Sequence, residues 1–156
     1  MLDARHIPLR TGQTYRVLSL GGDQRIADRL IQMGILPGIE FTIVRIGPMG
    51  NPLELAIAGG QSIALRNTDV LALDRELLSL PLSAAPPGIQ HYQILALPGH
   101  PRARQKLEDL GLHLNSQVRV EATRPYQLRL LEEDRSIRLG QTEAQTLILQ
   151  PVANNG

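Results

Sequence analysis

Cysteine and tryptophan are absent from the 156 residues, and one phenylalanine and three tyrosines make up the whole aromatic content. Without cysteine there are no disulfides, no thiolate metal sites and no cysteine nucleophile. With so few aromatic rings, any core must be built from aliphatic side chains. No apolar run approaches the roughly 18 residues that a membrane-spanning helix needs, and Asp3, Arg5 and His6 interrupt the N-terminus where a secretory leader would be apolar. A surplus of one charge is missing too. The formal net charge is +1, with eight Arg against seven acids in residues 1–75 and seven Arg and one Lys against eight acids in residues 76–156. Nucleic-acid-binding domains usually show a basic patch or imbalance, so this balance weighs against that class. H-E-x-x-H and G-x-S-x-G are both absent. His6, His91, His100 and His113 do not stand at metal-ligand spacing from one another. Glu132, Glu133 and Asp134 read as a solvated hairpin tip, so no catalytic constellation emerges.

What is present is organised around Asp23–Gly38, D-Q-R-I-A-D-R-L-I-Q-M-G-I-L-P-G. Asp23 is a good N-cap, accepting from first-turn N–H groups and placing negative charge at the positive end of the helix dipole. Ile26, Leu30 and Met33 share one face, leaving Arg25, Asp28, Arg29 and Gln32 for solvent. Gly34 stands where a left-handed residue ends a helix, and Pro37-Gly38 suits a type II turn. Gly21-Gly22-Asp23 before the helix resembles a phosphate cradle only superficially, because Asp23 would repel an anion.

The stretch occurs a second time. Arg102–Leu114 reads R-A-R-Q-K-L-E-D-L-G-L-H-L, with Gly111 standing 77 positions after Gly34 (111 − 34). At that offset Tyr15 meets Tyr92, Leu18 meets Leu95, Gly22 meets Gly99, Arg25 meets Arg102 and Leu30 meets Leu107. A repeat this long is a duplicated domain.

Each copy reads as strand, helix, then four short strands. In the first, the strands are Gln13–Leu20, Glu40–Ile46, Leu53–Ile57, Ile63–Leu65 and Val70–Leu73, with a corner at Asn67–Asp69. The second copy has Gln93–Leu97, Pro101 at a first helical position, then strands about Val118–Thr123, Leu128–Leu130, Ile137–Leu139 and Leu147–Leu149. Five strands and one helix suggest a bent antiparallel barrel whose closure hides its edges. The expected division is a barrel over 1–76, a proline-rich linker over 77–87, a second barrel over 88–152 and a disordered tail over 153–156. Leu77, Leu78, Leu80 and Leu82 are too apolar for a free tether, so this segment is expected to lie against both domains, and self-association is left open.

The first copy resembles the FeoA family of small bacterial ferrous-iron transport proteins. The resemblance is carried by Gly12, Val17, Arg29-Leu30, Met33-Gly34, Leu36-Pro37-Gly38, Gly47-Pro48, Pro52-Leu53 and Leu65-Arg66, and the domain is also similar to the C-terminal domain of DtxR-type iron-dependent repressors. The family fold is an SH3-like barrel, so the resemblance implies a mainly β chain with two such barrels in tandem, each with one helix between its first and second strands. The second copy is divergent: Leu114-Asn115 replaces Pro37-Gly38, Arg124-Pro125-Tyr126 replaces the Gly47–Pro52 loop, and Gly140 replaces Arg66.

The resemblance implies a non-enzymatic accessory or regulatory protein of ferrous-iron transport. It would act in the cytoplasm, or at the inner membrane through its partner, by contact with the cytosolic portion of a FeoB-type permease, without nucleic acid and without inserting in the membrane. The contact is expected on the first barrel at Pro48, Met49, Gly50 and Pro52, together with the Met33, Leu36, Pro37 and Gly38 turn. Gly34 and Gly111 serve as structural turns. Met49 either meets a partner or folds onto its own barrel. Two alternatives are carried: a transition-metal-responsive regulator or metal-binding adaptor, and an RNA- or ribosome-associated barrel. No cofactor is assigned. A weak transition-metal (Fe²⁺) site would have to use imidazole and carboxylate, and His91 and His100 are the nearest pair along the chain.

Overall fold

The computed structural model describes residues 7–153. The chain divides into two units between Leu78 and Ser79. The expected tail lies outside the described residues except for Ala153.

The first unit begins with β1 (Thr14–Ser19) and α1 (Gln24–Gln32), followed by β2 (Glu40–Ile46) and β3 (Leu53–Ile57). It continues through β4 (Ser62–Leu65) and α2 (Asn67–Ala72) to the first half of β5 (Asp74–Pro81). Its antiparallel order is β4-β3-β2-β1-β5. Alternation in β3 buries Leu53, Leu55 and Ile57 and turns Glu54 and Ala56 outward, as a half-buried strand requires. Tyr15 stacks on Phe41 with centroids 5.6 Å apart, two of the four aromatic rings in the chain.

Helix α1 forms as its sequence dictates. Asp23 Oδ1 accepts from Arg25 N at 2.9 Å and Ile26 N at 3.2 Å. The helix ends at Gly34, φ +89°, where Ile35 N folds back to donate to Leu30 O at 2.9 Å. Its buried face is Ala27 and Leu30, with Ile26 and Met33 half-buried at the margins. Leu36-Pro37-Gly38-Ile39 closes a type II turn, Ile39 N donating to Leu36 O at 3.1 Å with Gly38 at φ +93°.

Two expectations are corrected. Val70–Leu73 is not a strand: Asn67–Ala72 is helix α2, because Val70 and Leu73 are three apart and a helical turn buries both. The last strand is β5, where Arg75 and Leu77 alternate inward, so much of the stretch read as a linker is strand. Second, the ladder does not close on itself. Among the described residues β4 has no strand on its outer side, and α2 carries the chain from β4 to β5.

The second unit repeats the plan. It takes the end of β5 and adds β6 (His91–Ala96), α3 (Pro101–Asp109), β7 (Gln117–Thr123), β8 (Tyr126–Leu130), β9 (Arg135–Leu139), α4 (Gln141–Thr146) and β10 (Ile148–Val152). The order is β5-β10-β6-β7-β8-β9, with Leu149 opposite Leu80 and Ile148 opposite Pro81. His100 caps α3, its Nδ1 accepting from Arg102 N at 3.2 Å, and Pro101 is the first helical residue. Gly111 ends the helix at φ +102°. Asn115, φ +71°, takes the left-handed position that Gly38 holds in the first unit. Both units are thus SH3-like folds of mainly β structure with one helix between their first and second strands.

Candidate functional site

The loop between β2 and β3 is held from within. Gly47 N donates to Pro52 O at 2.8 Å and Gly50 N to Gly47 O at 3.1 Å, closing a single tight turn over Pro48–Gly50. Asn51 Oδ1 accepts from Asn67 N at 2.8 Å, fastening the loop to the start of α2. Gly47 is required here, because a Cβ would run into the Asn51 carbonyl. Met49 sits at the tip with φ +58°, an unusual conformation for a residue with a side chain, and is 100% exposed. It does not fold onto its own barrel.

Two open clefts flank this loop. One, of about 520 Å³, lies on the outer face of the sheet between the loop and β4. Arg45, Pro48, Pro52, Glu54, Ser62 and Ala64 line it, with Gly47 and Ile63. Glu54 accepts from Ser62 Oγ at 3.3 Å, whereas Arg45 is exposed and has no ion pair among the described residues. The other cleft, of about 470 Å³, is lined by Pro8, Leu9, Arg10, Ile46, Leu53 and Leu71, with Gly50 and Asn67. Neither cleft was legible in the sequence, since their walls come from segments far apart in the chain.

The structure does not bring the Met33–Gly38 turn to this loop. Leu36, Pro37 and Gly38 precede β2 and Gly47–Pro52 follows it, so the two lie at opposite ends of a seven-residue strand, roughly 20 Å apart at about 3.3 Å per residue. Leu36 is exposed and Met33 half-buried. In the second unit, His91 opens β6 and His100 lies beyond its far end, so extended strand separates them. Among the described residues no group of three or more His, Cys, Asp and Glu could hold a metal ion.

A further feature escaped the sequence reading. Asp69 on α2 is buried and accepts from Arg29 Nη2 at 2.8 Å and Arg66 Nη2 at 3.4 Å. Arg29, assigned to solvent on helical periodicity, thus ties α1 to α2. In the second unit Lys106 Nζ donates to Glu143 Oε1 at 2.7 Å. That hydrogen bond, ahead of all other causes, holds the Glu143 carboxyl below the usual range. On the outer face of the same unit, Glu121 is also lowered, first by the Ser136 hydroxyl and then by Gln127.

The exposed loop tip and the open clefts beside it describe a surface suited to contact. The FeoA domain family matches residues 8–72 and again residues 80–151. Among solved structures, the chain is similar to iron(II) transport protein A from Clostridium thermocellum at 28% identity, covering 98% of this chain and 90% of that one, with a TM-score of 0.56. It is also similar to a FeoA-like protein from Clostridium acetobutylicum at 26% identity, covering 45% of this chain and 80% of that one, with a TM-score of 0.42. A FeoA protein from Chlorobium tepidum matches at 21% identity over 49% and 70%, with a TM-score of 0.41.

Proposed function

Because the chain belongs to the FeoA domain family through both of its halves, we propose that its role in ferrous-iron transport is that of a non-enzymatic accessory protein docking on the cytosolic portion of a FeoB-type permease. The observation that carries the docking reading is Met49, fully exposed at the tip of an internally braced loop. The braced backbone of the loop has little freedom left to lose when a partner covers it, and an apolar, adaptable methionine suits such a contact. The second unit has Arg124-Pro125 in place of this loop, so the first unit makes the contact and the second supports it. No helix among the described residues is long and apolar enough to cross a membrane; in this reading the chain meets the permease at its cytosolic face.

The test is a pull-down of the full chain with the permease's cytosolic portion. Met49→Asp abolishes capture while leaving the melting temperature within about a degree of wild type. Capture that survives Met49→Asp but is lost with Tyr126→Asp would place the contact on the second unit instead.

A further inference from the structure

The two units end in edge strands of different character. In the second unit β9 carries Arg135 and Arg138 along an exposed edge, the charged guard that keeps sheet edges from pairing with foreign strands. In the first unit β4 reads Ser62-Ile63-Ala64-Leu65, without a charge. Ser62 and Ala64 are exposed. Ile57 N donates to Gln61 O at 2.7 Å, so Ile57 and Gln61 form a hydrogen-bonded pair. Alternation along an antiparallel ladder then makes Ala56–Ser62 and Glu54–Ala64 non-bonded pairs, with registers as observed. The N–H and C=O groups of Ser62 and Ala64 therefore point away from β3. Among the described residues no strand covers them.

Beside this unguarded edge lies the 520 Å³ cleft walled by Pro48, Pro52 and Ile63. Its two charged groups, Arg45 on β2 and Glu54 on β3, stand opposite each other; Glu54 accepts from Ser62, and Arg45 has no ion pair among the described residues. We propose that β4 accepts an extended, acidic segment of a partner protein as an added strand. Backbone bonds form at Ser62 and Ala64, an apolar side chain of the segment enters the cleft, and a carboxylate meets Arg45. Main-chain bonds give such an addition its affinity and the alternate side chains its specificity. The identity of the partner as the permease rests on the reading above; the mode of binding rests on β4, the cleft and Arg45.

Two arms keep these apart. In the first, the full chain is titrated with a synthetic ten-residue peptide that places valine and aspartate in turn on one strand face, with threonine at every intervening position, followed by amide NMR. Shifts at Ser62 and Ala64 with none along β9, weakened at least tenfold by Arg45→Glu and by Ala64→Pro, support strand addition. Proline at Ala64 removes only the outward N–H, so the ladder to β3 keeps its bonds, and an unchanged melting temperature confirms the fold. Absence of shifts at β4, or equal binding by Ala64→Pro, overturns the proposal. In the second arm, the permease's cytosolic portion is captured by wild type, Met49→Asp and Ala64→Pro. Capture lost with Met49→Asp but kept with Ala64→Pro overturns strand addition while leaving the permease reading intact. No capture by wild type, with the peptide still shifting β4, overturns the permease reading alone.

Discussion

Arg29 and Asp69 form a tie between the two helices of the first unit, Nη2 to Oδ1 at 2.8 Å, and Lys106 and Glu143 repeat it in the second unit at 2.7 Å. Arg29 and Lys106 are related by the same offset of 77 (106 − 29) that relates the helices. The duplication therefore preserved the function of the pair, acid on the short helix and cation on the long one, although both residue types changed.

Removing the acid in the first unit tests this. The Asp69 side chain is 3% exposed, whereas Arg29 is 44% and Arg66 63% exposed. A fully buried pair broken on one side costs about 3–5 kcal/mol, but solvent screens the two arginines, so Asp69→Ala is expected to cost about 1–3 kcal/mol. For a domain of this size that lowers the melting temperature by about 4–8 °C per kcal/mol. Arg29→Met costs less, because Arg66 still faces Asp69. Equal losses from Arg29→Met and Asp69→Ala, measured by calorimetry, would assign the stabilisation to Arg29 alone.

The second tie titrates. Lys106 holds the Glu143 carboxyl below its ordinary value, so the folded state binds that proton less readily than the unfolded one. Its stabilisation is complete above the unfolded carboxylate value of about 4.3 and is lost as pH falls through the lower folded value. Lys106→Met should lower the melting temperature at pH 7, and the gap to wild type should narrow below about pH 4. Glu121, lowered by Ser136 and Gln127 instead, keeps its own acid dependence in both proteins. A gap constant from pH 7 to pH 3 would show that Lys106 stabilises by packing.

The parts of this fold legible in the sequence were those set by neighbours in the chain. Asp23, Gly34, Pro37-Gly38 and the alternation of Leu53, Leu55 and Ile57 each act within a few residues, and each local rule points to the structure seen. Strand β5 was not legible, because Pro81, Pro86 and Pro87 suggest a linker while the pairing of Leu80 with Leu149 is a long-range fact. Proline is tolerated at Pro81 because it ends the strand. The clefts beside Met49, the separation of that loop from Leu36–Gly38, and the reach of Arg29 to Asp69 depend on how strands align. No local pattern encodes them.

The two helix-ending glycines should respond differently to a side chain. At Gly34 a Cβ meets nothing within 4 Å, so Gly34→Ala carries only the left-handed backbone cost of about 1–2 kcal/mol. At Gly111 the Cβ would fall against Arg135 Nη2 and close to both Glu133 carboxylate oxygens. Arg135 donates there to Leu110 O, so Gly111→Ala adds the loss of that bond to the same backbone cost. Gly111→Ala should therefore be the more destabilising of the two in denaturant titration. In an Arg135→Ala background, it should fall to the Gly34→Ala value. A difference that persists without Arg135 would place the extra cost in the Glu133 carboxylate contact or the backbone.

Arg75 supplies the last test, because the duplication provides its control. Its guanidinium is buried 5.2 Å above the Tyr15 ring and donates from Nη1 to the Val70 and Leu73 carbonyls at 3.3 Å, while Nε and Nη2 have no partner. Among the described residues no carboxylate pairs with the charge. In the second unit Leu149 occupies the equivalent place, as Leu147 follows α4 where Leu73 follows α2. Taking a cation out of water without a counter-charge is expensive, and the cation–π contact returns only about 1–2 kcal/mol of it. The Val70 carbonyl keeps its bond from Leu73 N, so replacing Arg75 costs that acceptor little. Arg75→Leu should thus leave the fold intact and raise its stability by about 1–3 kcal/mol, within the range found when buried ionic groups give way to apolar ones. Urea titration measures this directly, with an upward shift in midpoint at constant slope. A fall in midpoint would mean that the Tyr15 ring and the two carbonyls together hold the cation more tightly than water does.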